Sequence, residues 1–277
     1  MSKKIKHILL SCNEDPIYIH FWPTVAEHYK VLGYKVHLGF LTNKDENSEL
    51  VKKLKMFGDS VSLYKPNSNF NIVIQAKLLR WYMCSNFKDD IVCIKDIDQY
   101  TLHPNNWQEK MVNDDLIKFR KIATLGFNQY KDCRDYQKNG IYKFPAASTC
   151  GFGKDIYNIF SQEELSFHDF LFHLKNKTNK MNGKSDEVVI LDLNSQNVEW
   201  VKKHLVYYHR KDVISQYVNM RIDRGAFFRP VMSYDKKLLH DQYYEEICPT
   251  RPYDMTKMKY LLDYMKISEE TQKFKLY

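Results

Sequence analysis

Two carboxylates, Asp96 and Asp98, stand one residue apart at the end of an apolar run in 91-IVCIKDIDQYTL-102. On an extended strand, residues i and i+2 point to the same face. Two carboxylates on one face repel, and each favours the protonated form of the other unless a cation lies nearby. A divalent cation that also binds phosphate oxygens resolves the conflict, because Mg²⁺ and Mn²⁺ take hard oxygen ligands and few of them from protein. The plainer alternative is a pair of solvated acids in a turn. Two further groupings carry chemistry. Lys77 and Arg80 are spaced i, i+3, so one helix face presents both cations to a phosphate, or lays both along the surface. Asp186 and Glu187 open the apolar run of 183-GKSDEVVILDL-193, where a helix N-terminus favours ionised carboxylates. Such an acid can take a proton from an attacking hydroxyl, or can simply cap the helix.

These groups are positioned by alternating elements. Apolar runs at 6–13, 35–42, 60–65 and 89–98 read as strands. Between them, 21–33, 47–58 and 72–87 have helical spacing, with Ser48 as a cap and Gly33 and Gly58 as stops. This order implies an α/β fold, a Rossmann-type mixed and mostly parallel sheet flanked by helices. Ligands of such sheets bind at the carboxyl ends of the strands. Cys12, Asn13 and Asp15 follow the first strand, and Asp96 and Asp98 follow the fourth. In the second half, 121–130 and 141–148 read as strands. Residues 151–161 form a turn into a helix, and 166–177, 185–194 and 256–266 read as helices.

With 277 residues the chain can bury a full core, and the reading is one domain, 1–277, with a C-terminal extension wrapped onto it. Residues 1–102 would form one half of the site and 103–277 the other. The formal charge of +8 is spread out, with no block of like charge, which speaks against a nucleic-acid partner and suits an enzyme of anionic small molecules. No apolar window is long enough for a membrane span. The six cysteines include no CxxC pair and sit in apolar patterns, so reduced thiols and a cytoplasmic location are expected.

With the two acids set after the fourth strand, the chain resembles glycosyltransferases of the GT-A fold, which use a nucleotide sugar and carry a DxD motif after a central strand. The resemblance lies in 76-AKLLRWYMCSNFKDDIVCIKDID-98 and in 8-ILLSCNEDPIYIHFWPTVAEHY-29, and is looser beyond. It implies transfer of a hexosyl or pentosyl group from a nucleotide-diphosphate sugar to a hydroxyl of a glycan or glycoconjugate, with Mn²⁺ or Mg²⁺. Asp98 would ligate the metal, and Asp96 would contact the ribose or reach the metal through water. Lys77 and Arg80 would face the donor phosphates or sugar, and Cys12, Asn13 and Asp15 would line the base and ribose pocket. Asp186 or Glu187 would be the catalytic base of an inverting reaction. The glycines of 149-TCGFGKD-155, Gly151 and Gly153, would let the acceptor approach. A third metal ligand would be a late histidine, His209 or His240. In 246-EICPTRPYD-254, where that histidine is expected, Cys248 stands instead.

Other classes fit less well. In phosphatases of the haloacid dehalogenase type the DxD follows the first strand. A sugar nucleotidyltransferase needs a Gly-rich loop after that strand, and SCNEDPIY has no glycine. A nucleotide-sugar-binding or interaction module with a degenerate site stays open.

Overall fold

The computed structural model describes residues 4–102, 112–126, 149–183, 185–209, 220–222, 244–249 and 251–277. The expected strand at 141–148 and His240 lie outside them. Four parallel strands, β1 (His7–Asn13), β2 (Lys35–Leu41), β3 (Ser60–Tyr64) and β4 (Ile91–Ile94), lie in the order β3-β2-β1-β4. Between them in sequence run α1 (Pro16–Ile19), α2 (Trp22–Val31), α3 (Glu49–Leu54) and α4 (Ile72–Tyr82), which continues as a 3-10 helix, Met83–Phe87.

Local chemistry sets these boundaries. Ser48 accepts a hydrogen bond from Val51 N at the start of α3, and Asn71 accepts one from Val73 N at the start of α4. After α2 the chain turns at Gly33, whose φ of 84° a side chain would resist. Both sheet faces are covered, so the middle of β1, Ile8, Leu9 and Leu10, is continuously apolar. Ile8, Leu10 and Cys12 pack with Phe21, just before α2, and with Trp22, Val25 and Tyr29 of α2. Leu9 packs on the opposite side with Ile74, Leu78, Leu79 and Trp81 of α4.

Beyond β4 the sheet continues through β7 (Thr149–Phe152), antiparallel to β4, then β6 (Ile122–Gly126) and β8 (Leu205–His209). The seven-stranded sheet is mixed and mostly parallel, as expected. Its other helices are α5 (Asp114–Lys118), α6 (Gly153–Tyr157), α7 (Phe167–Lys177), α8 (Asp186–Ser195) and α9 (Val198–His204). A second sheet joins β5 (Tyr100–Thr101), β10 (Tyr244–Ile247) and β9 (Met220–Ile222). The chain ends in α10 (Met255–Tyr264) and α11 (Glu269–Lys273). Met258, Leu261 and Leu262 of α10 join the α2 cluster, and Ser268 N donates to Glu27 Oε1 at 2.9 Å, so this segment folds back onto α2. Among the described residues no helix is long and apolar enough to cross a membrane.

Two expectations change. The fourth strand stops at Ile94, and Asp96–Gln99 form a turn closed by Gln99 N donating to Asp96 O at 3.1 Å. The two acids therefore do not share a strand face. The glycine turn at 149–155 is instead β7 followed by α6. A Cβ on Gly153 would stand 2.4 Å from the carbonyl oxygens of Cys84 and Phe87. That glycine lets α6 seat against the 3-10 helix rather than admitting a ligand.

Candidate active site at the ends of the first and fourth strands

The chain passes from β1 outward to β2 and β3, then crosses back to β4 on the other side of β1. Where strand order reverses in this way, the loops at the carboxyl ends diverge and leave a crevice. Asn13 and Asp15 leave β1 there, and Asp96 and Asp98 leave β4.

Arg80 is the centre of the site. It sits near the end of α4, almost fully buried, with Lys77 one turn earlier and half-buried. Its Nη1 donates to the Lys95 carbonyl at 3.1 Å and pairs with Asp96, while Nη2 donates to Asp186 Oδ2 at 3.0 Å. Trp81 Nε1 donates to the same Oδ2 at 3.0 Å. Burial alone would pull the guanidinium down, but Asp96 and Asp186 hold it above its ordinary range. Asp186 is the first residue of α8, and Ser185 before it makes no side-chain cap bond. The buried Asp186 carboxylate thus spends its Oδ2 on α4, not on its own helix. Glu187 beside it is half-buried.

Asp98 is fully buried and pairs with a residue from the far end of the chain, Arg251. Arg251 Nε donates to Asp98 Oδ2 at 2.6 Å and Nη1 to Tyr18 Oη at 2.8 Å. Its guanidinium lies over the Tyr18 ring, 4.3 Å from the centroid, a cation–π contact. Register explains the meeting. In the antiparallel pair of β10 with β5, Ile247 stands opposite Tyr100, so the chain after Ile247 runs back alongside Gln99 and Asp98. The end of the chain was expected to bring a histidine here; it brings an arginine, while Cys248 is buried. Arg251 is the residue that sequence reasoning missed. A cation within 246–254, next to the place of an expected ligand, was the available signal.

The turn carrying the acids is held from behind by α2. Tyr29 Oη donates to Gln99 O at 3.0 Å, Thr24 Oγ1 shares a 2.7 Å bond with Tyr100 Oη, and Thr101 N donates to His28 Nε2 at 3.1 Å. His28 must stay neutral to accept that bond, and burial pushes its pKa down to about 3.

The remaining expected residues are spread more widely. Asp15 caps α1, accepting from Ile17 N at 2.9 Å, and Asn13 Oδ1 accepts from Asp15 N at 3.2 Å. Both are half-buried at the crevice. The Cys12 side chain turns into the core, and burial raises its thiol well above the usual range. His209 ends β8, which β7 and β6 separate from β4, placing its backbone roughly 14 Å from that strand at ordinary spacing.

The divalent ion implied by the resemblance does not fit the site as these residues build it. Asp96 and Asp98 are each already in a charge-assisted pair, and Asp98 is closed off from solvent. Among the described residues no three His, Cys, Asp or Glu side chains cluster as metal ligands.

The sheet order is that of an α/β fold, and it is similar to the fold of a solved glycosyltransferase. The apo-form glycosyltransferase GlyE of Streptococcus pneumoniae TIGR4 matches with a TM-score of 0.50 and 12% identity, over 97% of this chain and 62% of that one. The chain thus spans less than two thirds of GlyE. A glycosyltransferase involved in glycosylation of the major capsid of PBCV-1 matches at 0.43 and 11%, over 95% of this chain and 99% of that one. Mouse xyloside xylosyltransferase 1, apo form, matches at 0.42 and 9%, over 89% and 97%. At 12% identity the likeness to GlyE is one of fold. No protein-family model and no curated protein matches the sequence.

Proposed function

We propose that the chain is a GT-A-type glycosyltransferase that moves a hexosyl or pentosyl group from a nucleotide-diphosphate sugar to a hydroxyl of a glycan or glycoconjugate. The observation that carries this reading is the Arg80 bridge between Asp96 and Asp186. It joins an acid at the strand-order reversal to an acid that opens a helix of the second half, the helix on which Glu187 is the next residue. Base and ribose would lie against Asn13 and Asp15, and the diphosphate near Lys77 and the Asp96–Asp98 turn.

In the reaction the bond from the anomeric carbon to the β-phosphate oxygen breaks. Its electron pair leaves with the nucleoside diphosphate, which gains one negative charge. The acceptor oxygen bonds to the anomeric carbon, and its proton passes to a carboxylate. Glu187 is the proposed acceptor of that proton, in an inverting displacement, because Asp186 Oδ2 already takes two donors. Asp186 then acts as a positioning residue.

The charge on the departing diphosphate needs a cation, and the test distinguishes an added Mn²⁺ or Mg²⁺ from one the protein supplies. The test is a thermal-shift screen of nucleoside diphosphates and nucleotide sugars with and without each ion, followed by turnover of any stabilising donor. A ligand that binds only the folded chain raises the midpoint by mass action. Failure of every nucleotide sugar to stabilise or turn over would favour the interaction-module reading.

A further inference from the structure

We infer that the guanidinium of Arg251 is the resident cation of this site, and that it meets the donor's diphosphate in place of a divalent metal ion. The inference rests on the nucleotide-sugar reading above and adds to it the group that receives the phosphate charge.

Four observations converge on Arg251. The β10–β5 register steers the chain after Ile247 directly to the acidic turn. Arg251 then closes on Asp98, so the more buried of the two acids is neutralised by protein. The guanidinium is pinned from a second direction by Tyr18, through a hydrogen bond and a stacked ring. Tyr18 belongs to α1, the helix that follows β1 into the crevice, so Arg251 spans both sides of the strand-order reversal. Finally, its side chain keeps 25% of its surface exposed while Asp98 keeps none, so of the pair the arginine, not the carboxylate, reaches solvent.

A guanidinium suits this task chemically. It is planar, remains charged at any working pH, and can offer parallel N–H donors to two phosphate oxygens. Its bonds to Asp98 and Tyr18 use Nε and Nη1. Among the described residues, Nη2 is the end left to reach a phosphate. For Mn²⁺ to bind Asp98 instead, Arg251 would have to leave both partners and uncover a buried carboxylate. In the transfer step Arg251 exchanges no proton and no electrons. It stabilises the negative charge that gathers on the β-phosphate as the anomeric C–O bond breaks, and the acceptor proton goes to Glu187 as above.

The experiment titrates UDP, GDP, ADP and CDP calorimetrically into the full chain, once in EDTA and once in millimolar Mn²⁺. Mn²⁺ alone is followed in parallel by electron paramagnetic resonance. The expected result is that a nucleoside diphosphate binds with the same Kd, within about twofold, in both buffers. Wild type should show no bound Mn²⁺. Arg251→Gln should weaken binding by about tenfold or more in both buffers, and Arg251→Lys by less, because it keeps the charge and loses the fork. Should Arg251→Gln fold poorly with Asp98 left buried and charged, Asp98→Asn with Arg251→Gln removes both charges. That pair should show the same loss of diphosphate binding. Diphosphate binding that requires Mn²⁺ overturns the inference while leaving the glycosyltransferase reading intact, as does a folded Arg251→Gln that binds like wild type. No binding of any nucleoside diphosphate in either buffer overturns both.

Discussion

Arg80 Nη2 and Asp186 Oδ2 lie 3.0 Å apart across 106 residues of sequence, and Trp81 Nε1 meets the same oxygen. This buried pair ties α4 of the first half to α8 of the second and leaves neither charge facing bulk water. Removing one partner of such a pair strands the other in a dry environment. Asp186→Ala should therefore destabilise the fold by roughly 3 kcal/mol, and Asp186→Asn by less, because the amide oxygen still accepts from Trp81. Urea unfolding midpoints of the two variants measure this. A midpoint unchanged in Asp186→Ala would mean that Asp96 alone satisfies Arg80.

Gly153 and Gly151 separate packing from ligand approach. A Cβ at 153 meets two backbone oxygens at 2.4 Å, atoms that cannot swing aside, whereas at 151 its nearest neighbours lie at 3.4 Å. Gly153→Ala should cost about 1–3 kcal/mol as overpacking. Gly151→Ala should be close to neutral, and neither should alter the KM for donor or acceptor. A rise in acceptor KM for Gly153→Ala without loss of stability would restore the acceptor-side role expected from the sequence.

Acid should loosen the fold through its buried histidines. Burial pushes His28 down to about 3 and His37 to about 4, so both stay neutral in the folded chain. The unfolded chain has the ordinary histidine value near 6.5 and binds more protons below it. Their contribution is thus complete above about pH 6.5 and is lost as the pH falls toward the folded values. For His28 alone the loss is about 2 kcal/mol between about pH 6.5 and pH 5. Unfolding free energies of wild type and His28→Gln across that range should diverge by this amount, with the flatter profile in the variant. Parallel profiles would place the proton uptake elsewhere.

Thiol chemistry gives a further check. Cys12, Cys84, Cys93, Cys150 and Cys248 are buried, and burial raises the Cys12 and Cys84 thiols well above their usual range. Thiolate is the reactive form, so these side chains should resist a disulfide-exchange reagent in the native state. At most one thiol, that of Cys133 outside the described residues, should react quickly, and all six should react in denaturant. Several fast thiols in the native chain would mean that the β1–β4 core opens readily.

Local pattern was enough to read the first half of the fold. Apolar runs of strand length, helical spacing between them, Ser48 at a helix start and Gly33 after a helix end act over a few residues and need no distant partner. Placing the acids after the fourth strand followed from the same alternation, and so did the crevice. The exact end of β4 did not follow, because Asp96–Gln99 form a turn that runs into Gln99, Tyr100 and Thr101, whose anchors are Tyr29, Thr24 and His28 of a helix some seventy residues earlier in the chain. Likewise β8, α9 and α11 are short and carry little periodic signal of their own.

The residue types in the sequence determined that acids, basic helix residues and a carboxylate-led helix would be available, and the strand order implied where they would gather. Only the tertiary structure decided how they pair. Arg80 could be spent on a ligand or on Asp186, and Asp98 on a metal or on Arg251. The choice rests on distances between elements more than a hundred residues apart, set by sheet register and helix packing rather than by any local spacing.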